Sequence, residues 1–128
     1  MAKIVILDDH HDLCLSIQCR LSMNGHDVRT SSVGDEAIDI GHLFQPDVLI
    51  TDWRLDCGYD GLEVAEAFRF ANQRIKTILI TGHSIKEIEN HCSTAQIFKT
   101  IRKPFSLEEI ASSVEDALIQ DDIGLTSN

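Results

Sequence analysis

Apolar positions along the chain follow two rhythms. Short unbroken runs occur at "IVIL" (Ile4 to Leu7), "VLIT" (Val48 to Thr51) and "ILIT" (Ile78 to Thr81), with a weaker one at "IFKTI" (Ile97 to Ile101). Runs of this length read as strands buried on both faces, the mark of a parallel sheet. A fifth short strand is expected over His26 to Ser31, after the turn signal "NG". Between the runs the spacing turns helical. Leu13, Ile17 and Leu21 share one face, Ala37, Ile38 and Gly41 mark a second helix ending before Pro46, and Leu62, Ala65, Phe68 and Arg69 mark a third entered through Gly61. Ile85, Ile88 and Cys92 suggest a short fourth. Leu107, Ile110, Ala111, Val114 and Leu118 make the last and most regular helix, with Ser106 as its N-cap and Glu109 three residues on. Five strands alternating with five helices predict an α/β fold built on a doubly wound sheet.

In such a sheet a ligand site forms beyond the carboxyl ends of the strands. The polar residues that interrupt the pattern collect there. The first strand ends in Asp8 and Asp9, the third in Asp52, the fourth in Thr81 and Gly82, and the fifth near Lys103 and Pro104. Taken singly, each has an ordinary reading. Asp8 is a loop acid, Asp12 caps the first helix, Asp52 is a turn residue, Thr81 a strand end and Lys103 a surface cation. Four separate runs delivering such residues to one edge reverse that reading.

Three carboxylates in one crevice repel each other, and burial makes the repulsion worse. A hard divalent cation with oxygen ligands, Mg²⁺ in cells, is the natural counterion. The Lys103 ammonium is a second one, a compact charge suited to phosphate. Thr81 adds a hydroxyl, and Gly82 leaves the backbone open to close approach. Acid, metal, lysine and hydroxyl without bulk suit a transferred phosphoryl group, handled by positioning and charge neutralisation.

Composition narrows the picture. The chain has 128 residues, 43% hydrophobic, enough for one core. The formal charge of −10, from 11 Lys+Arg and 21 Asp+Glu, argues against nucleic acid and against anionic membranes. No apolar run approaches the roughly 20 residues of a membrane span, and "MAKIVIL" lacks a signal-peptide layout. A cytoplasmic location is the expectation. Cys14, Cys19, Cys57 and Cys92 form no CxxC pair and no zinc spacing, so reduced thiols are expected. One domain over 1–120 is expected, followed by a flexible tail over 121–128, "DDIGLTSN".

From about Lys3 to Leu118 the chain resembles the receiver domain of two-component response regulators, through "VILDDHHD", "PDVLITDWRL", "DGLEVAEAFR", "ILITGHS" and "IRKPFSLEEI". The resemblance implies a flavodoxin-like sandwich with a five-stranded parallel sheet in the order 2-1-3-4-5. It implies that Asp52 accepts a phosphoryl group from a phosphohistidine on a histidine kinase or histidine phosphotransfer protein, as an in-line nucleophile. It further implies that Asp9 binds Mg²⁺ directly, Asp8 mostly through water, and Asp52 and the main-chain carbonyl of Arg54 complete the protein ligands. Thr81 would bond one phosphoryl oxygen and Lys103 pair with another, across a cis Lys103–Pro104 bond. Charging Asp52 would then switch a surface that meets a downstream protein.

Departures from the family pattern are specific. Thr100 stands where an aromatic commonly switches rotamer, with Phe98 nearby. The loop "WRLDCGYDG" is one residue longer than the commonest form and carries Asp56 where proline is frequent, which resembles receivers attached to hybrid histidine kinases. Arg54 and His83 hold the two positions that tune attack by water, and are expected to shield the phosphoryl group.

The alternative is a receiver-fold interaction module that is never phosphorylated. An aspartyl-nucleophile phosphohydrolase would need a second acid two residues after its nucleophile, yet Asp52 is followed by Trp53 and Arg54. The chain is therefore read as a signalling domain and not as an enzyme. A nucleotide or flavin binder would want a Gly-rich first loop, and "DDHHD" repels phosphate. About ten residues remain after Leu118, so a stand-alone receiver, or one cut from a hybrid kinase or larger regulator, is expected, as a monomer or weak homodimer.

Overall fold

The computed structural model describes residues 1–55, 60–82, 86 and 96–126, with side chains described up to Ile119. Five strands carry the apolar runs: β1 (Lys3–Leu7), β2 (Asp27–Ser31), β3 (Val48–Asp52), β4 (Lys76–Thr81) and β5 (Lys99–Arg102). Among the described residues four helices alternate with them: α1 (His11–Ser22), α2 (Gly34–Phe44), α3 (Gly61–Ala71) and α4 (Leu107–Thr126). The helix expected across Ile85, Ile88 and Cys92 lies outside the described residues.

The strands form one parallel sheet in the order β2-β1-β3-β4-β5. This is the predicted doubly wound α/β architecture, and its strand order is the one the family resemblance implied. Burial follows from position. β1, β3 and β4 lie inside the sheet and are apolar on both faces. Edge strand β2, "DVRTS", alternates and keeps Asp27 and Arg29 in water.

Side chains alternate across the sheet, so two cores form. On one face Ile4, Ile6, Ile50, Ile78, Ile80 and Ile101 meet Ile17 and Leu21 of α1 and Ile110, Val114 and Ala117 of α4. On the other, Val5, Leu7 and Leu49 meet Ala37 and Phe44 of α2 and Val64, Ala65 and Phe68 of α3. A smaller cluster of Trp53, Leu62 and Leu79 lies beyond it.

The helix ends carry local chemistry. Asp60 accepts from the Glu63 amide at 2.9 Å while the Glu63 side chain accepts from the Asp60 amide at 3.1 Å, closing a capping box on α3. Ser106 caps α4 as predicted, accepting from the Glu109 amide at 3.1 Å. α2 stops at Gln45, whose φ of 55° is left-handed, directly before Pro46. Asp12 does not cap α1. His10 occupies the cap position and Asp12 lies in the first turn, where its charge favours the positive helix end. The backbone of α4 continues to Thr126, past Leu118 where the apolar pattern stops. No proline interrupts that stretch, and the helix propagates one hydrogen bond per added residue.

Candidate functional site

The four strand ends converge as expected. Asp8 and Asp9 follow β1, Asp52 is the last residue of β3, Thr81 the last of β4, and Lys103 follows β5. The register explains it: Asp52 lies beside Ile80 and Thr81 beside Arg102, so the neighbouring strands end almost level. The Lys103 amide donates to the Thr81 carbonyl at 2.8 Å and extends that ladder by one residue. The Lys103–Pro104 peptide is cis.

Lys103 Nζ lies 3.3 Å from Asp52 Oδ2 and 3.7 Å from Asp8 Oδ2, and so bridges two acids from different strands. Asp8 is only 1% exposed and Asp52 only 7%. One lysine for two buried carboxylates leaves an excess of negative charge. Its effect is visible on Asp52, whose pKa is raised above the ordinary carboxylate value. Burial is the main cause and the Asp8 charge the next, with Lys103 opposing both.

His10 is a site residue that the sequence reading missed. Its amide donates to Asp8 Oδ1 at 2.9 Å, and its ring Nδ1 lies 3.0 Å from Asp8 Oδ1 and 3.3 Å from Asp9 Oδ1. The hydrogen bond to Asp8, with the negative charges of Asp8 and Asp9, holds the imidazole pKa above its ordinary value. The available signal was position: His10 directly follows the acid pair, at the turn where the chain must fold back over it.

Whether the acids suit a metal is answered by Asp8. Its Oδ2 is buried without a hydrogen-bond partner, although buried carboxylate oxygens are normally satisfied. Asp8, Asp9, His10 and Asp52 each offer a donor atom, all within 4.8 Å of one another. That is an acidic site with one buried oxygen that no hydrogen bond satisfies, which fits a cation.

The remaining expected residues divide. Thr81 is fully buried at the end of β4, and Gly82 is exposed with open space where a Cβ would stand. Thr100 is half-buried in β5, in register with Leu79. Pro104 is exposed beyond the cis bond. His83 and Asp56 lie outside the described residues. The Arg54 guanidinium stacks on the Trp53 ring at 4.3 Å from its centroid.

Gly61 also escaped the sequence reading as a site residue. A Cβ there would overlap the main-chain oxygen of Asp52. The Gly61 amide donates to the Trp53 carbonyl at 2.7 Å, and the Thr51 hydroxyl donates to the Asp52 carbonyl at 2.9 Å. The first turn of α3 is therefore built against the backbone of Asp52. Cys14 touches the other acid, its thiol donating to the Asp8 carbonyl at 3.3 Å.

Residues 4–115 match the family described as the response regulator receiver domain. The chain belongs to that family. This receiver is 28% identical over 129 residues to the alkaline phosphatase synthesis transcriptional regulatory protein PhoP of Bacillus subtilis, a match covering 98% of the chain and 52% of the relative. It is 28% identical over 116 residues to the response regulator MprA of Mycobacterium bovis, covering 91% and 50%. The receiver thus spans about half the length of the curated relatives it matches. In fold it is similar to a receiver domain protein from Clostridium thermocellum, with a TM-score of 0.85 at 22% identity over 96% of this chain and 98% of that one. A CheY-like receiver from Methanospirillum hungatei gives 0.88 at 19%, covering 97% and 98%. Among the described residues of this receiver no helix is long and apolar enough to cross a membrane.

Proposed function

We propose that this receiver takes a phosphoryl group from a phosphohistidine onto Asp52 and thereby switches a surface read by a downstream protein. The observation that carries the reading is the approach of Lys103 to both Asp52 and Asp8, whose buried Oδ2 it meets as an ion pair and not as a hydrogen bond. An Asp52 oxygen attacks phosphorus in line, the P–N bond breaks, and the imidazole of the partner leaves with the bond pair. Asp52 serves as nucleophile in its ionised form, and its raised pKa makes it more basic than an ordinary carboxylate. The Lys103 ammonium pairs with one phosphoryl oxygen, which relieves Asp52 of the same contact. The Thr81 hydroxyl bonds another, and Gly82 admits the group without steric conflict.

Mg²⁺ is the cofactor of this reading: Asp9, Asp52 and the main-chain carbonyl of Arg54 would hold it directly, and Asp8 mostly through water. When bound it supplies positive charge that offsets the carboxylates and the incoming phosphoryl oxygens. The partner is a histidine kinase or histidine phosphotransfer protein, and the downstream protein meets a face reshaped as Thr81 moves, with half-buried Thr100 as the neighbouring β5 element. In this reading the receiver unit ends at residue 120, three residues beyond Ala117, the last buried side chain among the described residues of α4, with 121–128 as its tail.

The test is incubation with acetyl phosphate and Mg²⁺ followed by intact mass. The wild-type chain is expected to gain one phosphoryl group, and Asp52→Ala none. A wild-type chain that never gains mass leaves the unphosphorylated interaction module as the reading.

A further inference from the structure

The family reading accounts for the carboxylates around the metal but gives no task to the imidazole placed among them. His10 Nδ1 lies 3.0 Å from Asp8 Oδ1 and 3.3 Å from Asp9 Oδ1. Neighbouring donors around one small divalent cation, bound at about 2.1 Å, lie about 3 Å apart. The proton shared in the hydrogen bond to Asp8 and a cation compete for one position, and with the cation there the ring nitrogen stands at ligand spacing from two acid oxygens. A second observation points to the cation itself: Asp8 Oδ2 is buried without a hydrogen-bond partner, 3.7 Å from Lys103 Nζ and so beyond hydrogen-bond reach.

We propose that His10 is a nitrogen ligand of the metal site, so that this receiver favours divalent transition-metal ions such as Mn²⁺ and Co²⁺ over Mg²⁺ more strongly than an all-oxygen site would. The ligand chemistry gives the direction. Mg²⁺ takes oxygen donors and keeps its waters, whereas imidazole suits transition-metal ions. A site of two or three carboxylates plus one imidazole thus adds a bond that Mg²⁺ uses poorly. The His10 side chain is 70% exposed, so it reaches the metal from the solvent side and completes the shell above the buried acids.

The inference rests on the metal reading above, and its test separates the two. Mn²⁺ is added to the wild-type chain and to His10→Ala, and pulsed electron paramagnetic resonance is used to detect ¹⁴N coupling to the manganese. Mg²⁺ and Co²⁺ affinities are measured in parallel by calorimetry. Nitrogen coupling is expected in the wild type and not in the variant. Removing one ligand should weaken Co²⁺ by about tenfold or more while leaving Mg²⁺ within about twofold. Because the ring is exposed, the variant should keep its fold, and a circular dichroism melt verifies it. Manganese bound without nitrogen coupling, or equal Co²⁺ and Mg²⁺ changes in the variant, overturns the proposal and makes His10 a counterion of the acids. No metal binding to the wild type overturns the metal reading instead.

Discussion

Asp52 holds a charge where the fold resists one. It is nearly buried, faces Asp8, and has Lys103 as its near cation, and the balance raises its pKa. The sign for stability follows. A carboxyl whose folded pKa lies above its unfolded value contributes stability that is full below the unfolded value and is lost as pH rises through the raised one. At neutral pH, without metal, Asp52 therefore opposes folding. Asp52→Asn is expected to raise the melting temperature in chelator-treated buffer by about 3 °C, the shift that about 1 kcal/mol produces in a domain of this size. A lower melting temperature for the variant in calorimetry would contradict the electrostatic account. Cys14 gives a second check. Burial first, and the Asp8 charge next, push its thiol pKa from 9.0 to about 11, so at any pH well below 9 its thiolate is about 100-fold scarcer than that of an ordinary cysteine. Iodoacetamide at pH 8 should label exposed Cys19 and spare Cys14, with Cys14 labelling rising as pH approaches about 11, read by peptide mass mapping. At this scale the acids, Thr81 and Lys103 were legible because chain order alone assigns them to strand ends. His10 was not, because a histidine after an acid pair has no meaning until the turn folds it back.

The elements meet the site through their ends, and α3 does so most closely. Its capping box fixes the start of the helix, and Gly61 then sets the first turn against the Asp52 carbonyl. Alanine ordinarily gains about 1 kcal/mol over glycine in a helix. Here its Cβ would overlap backbone that cannot turn aside, so Gly61→Ala is expected to destabilise the chain by about 2 kcal/mol and to slow acetyl phosphate labelling at least about tenfold. Urea melts and timed intact mass measure both, and an unchanged labelling rate in the folded variant would remove Gly61 as a positioning residue. Strands and helices were legible because buried parallel strands write unbroken apolar runs and helices write their stripes. The "DG" before α3 was readable as a helix entry, but the reason for its glycine is a contact with a residue nine positions earlier in the chain. The length of α4 was not readable either, since its last turns carry no apolar stripe.

The whole molecule is strongly acidic, at −10, and gathers part of that charge at one rim of its sheet. Any cation that binds the folded rim and not the unfolded chain adds stability by mass action, about 1.4 kcal/mol for each tenfold rise in free ion above its dissociation constant. The melting temperature should therefore climb with Mg²⁺ concentration in the wild type and stay nearly flat in Asp9→Ala, as read by scanning calorimetry. Equal slopes would mean that the ion binds elsewhere. The sheet type and the edge at which chemistry gathers were determined by the sequence alone, because apolar run length and the polar residues ending each run are local facts of the chain. The pairing of Lys103 with Asp52, the unsatisfied oxygen of Asp8, the ring of His10 among the acids and the fit of Gly61 on Asp52 were decided only by tertiary structure. Each depends on distances between residues that the backbone brings together, and such distances are not encoded in any local pattern.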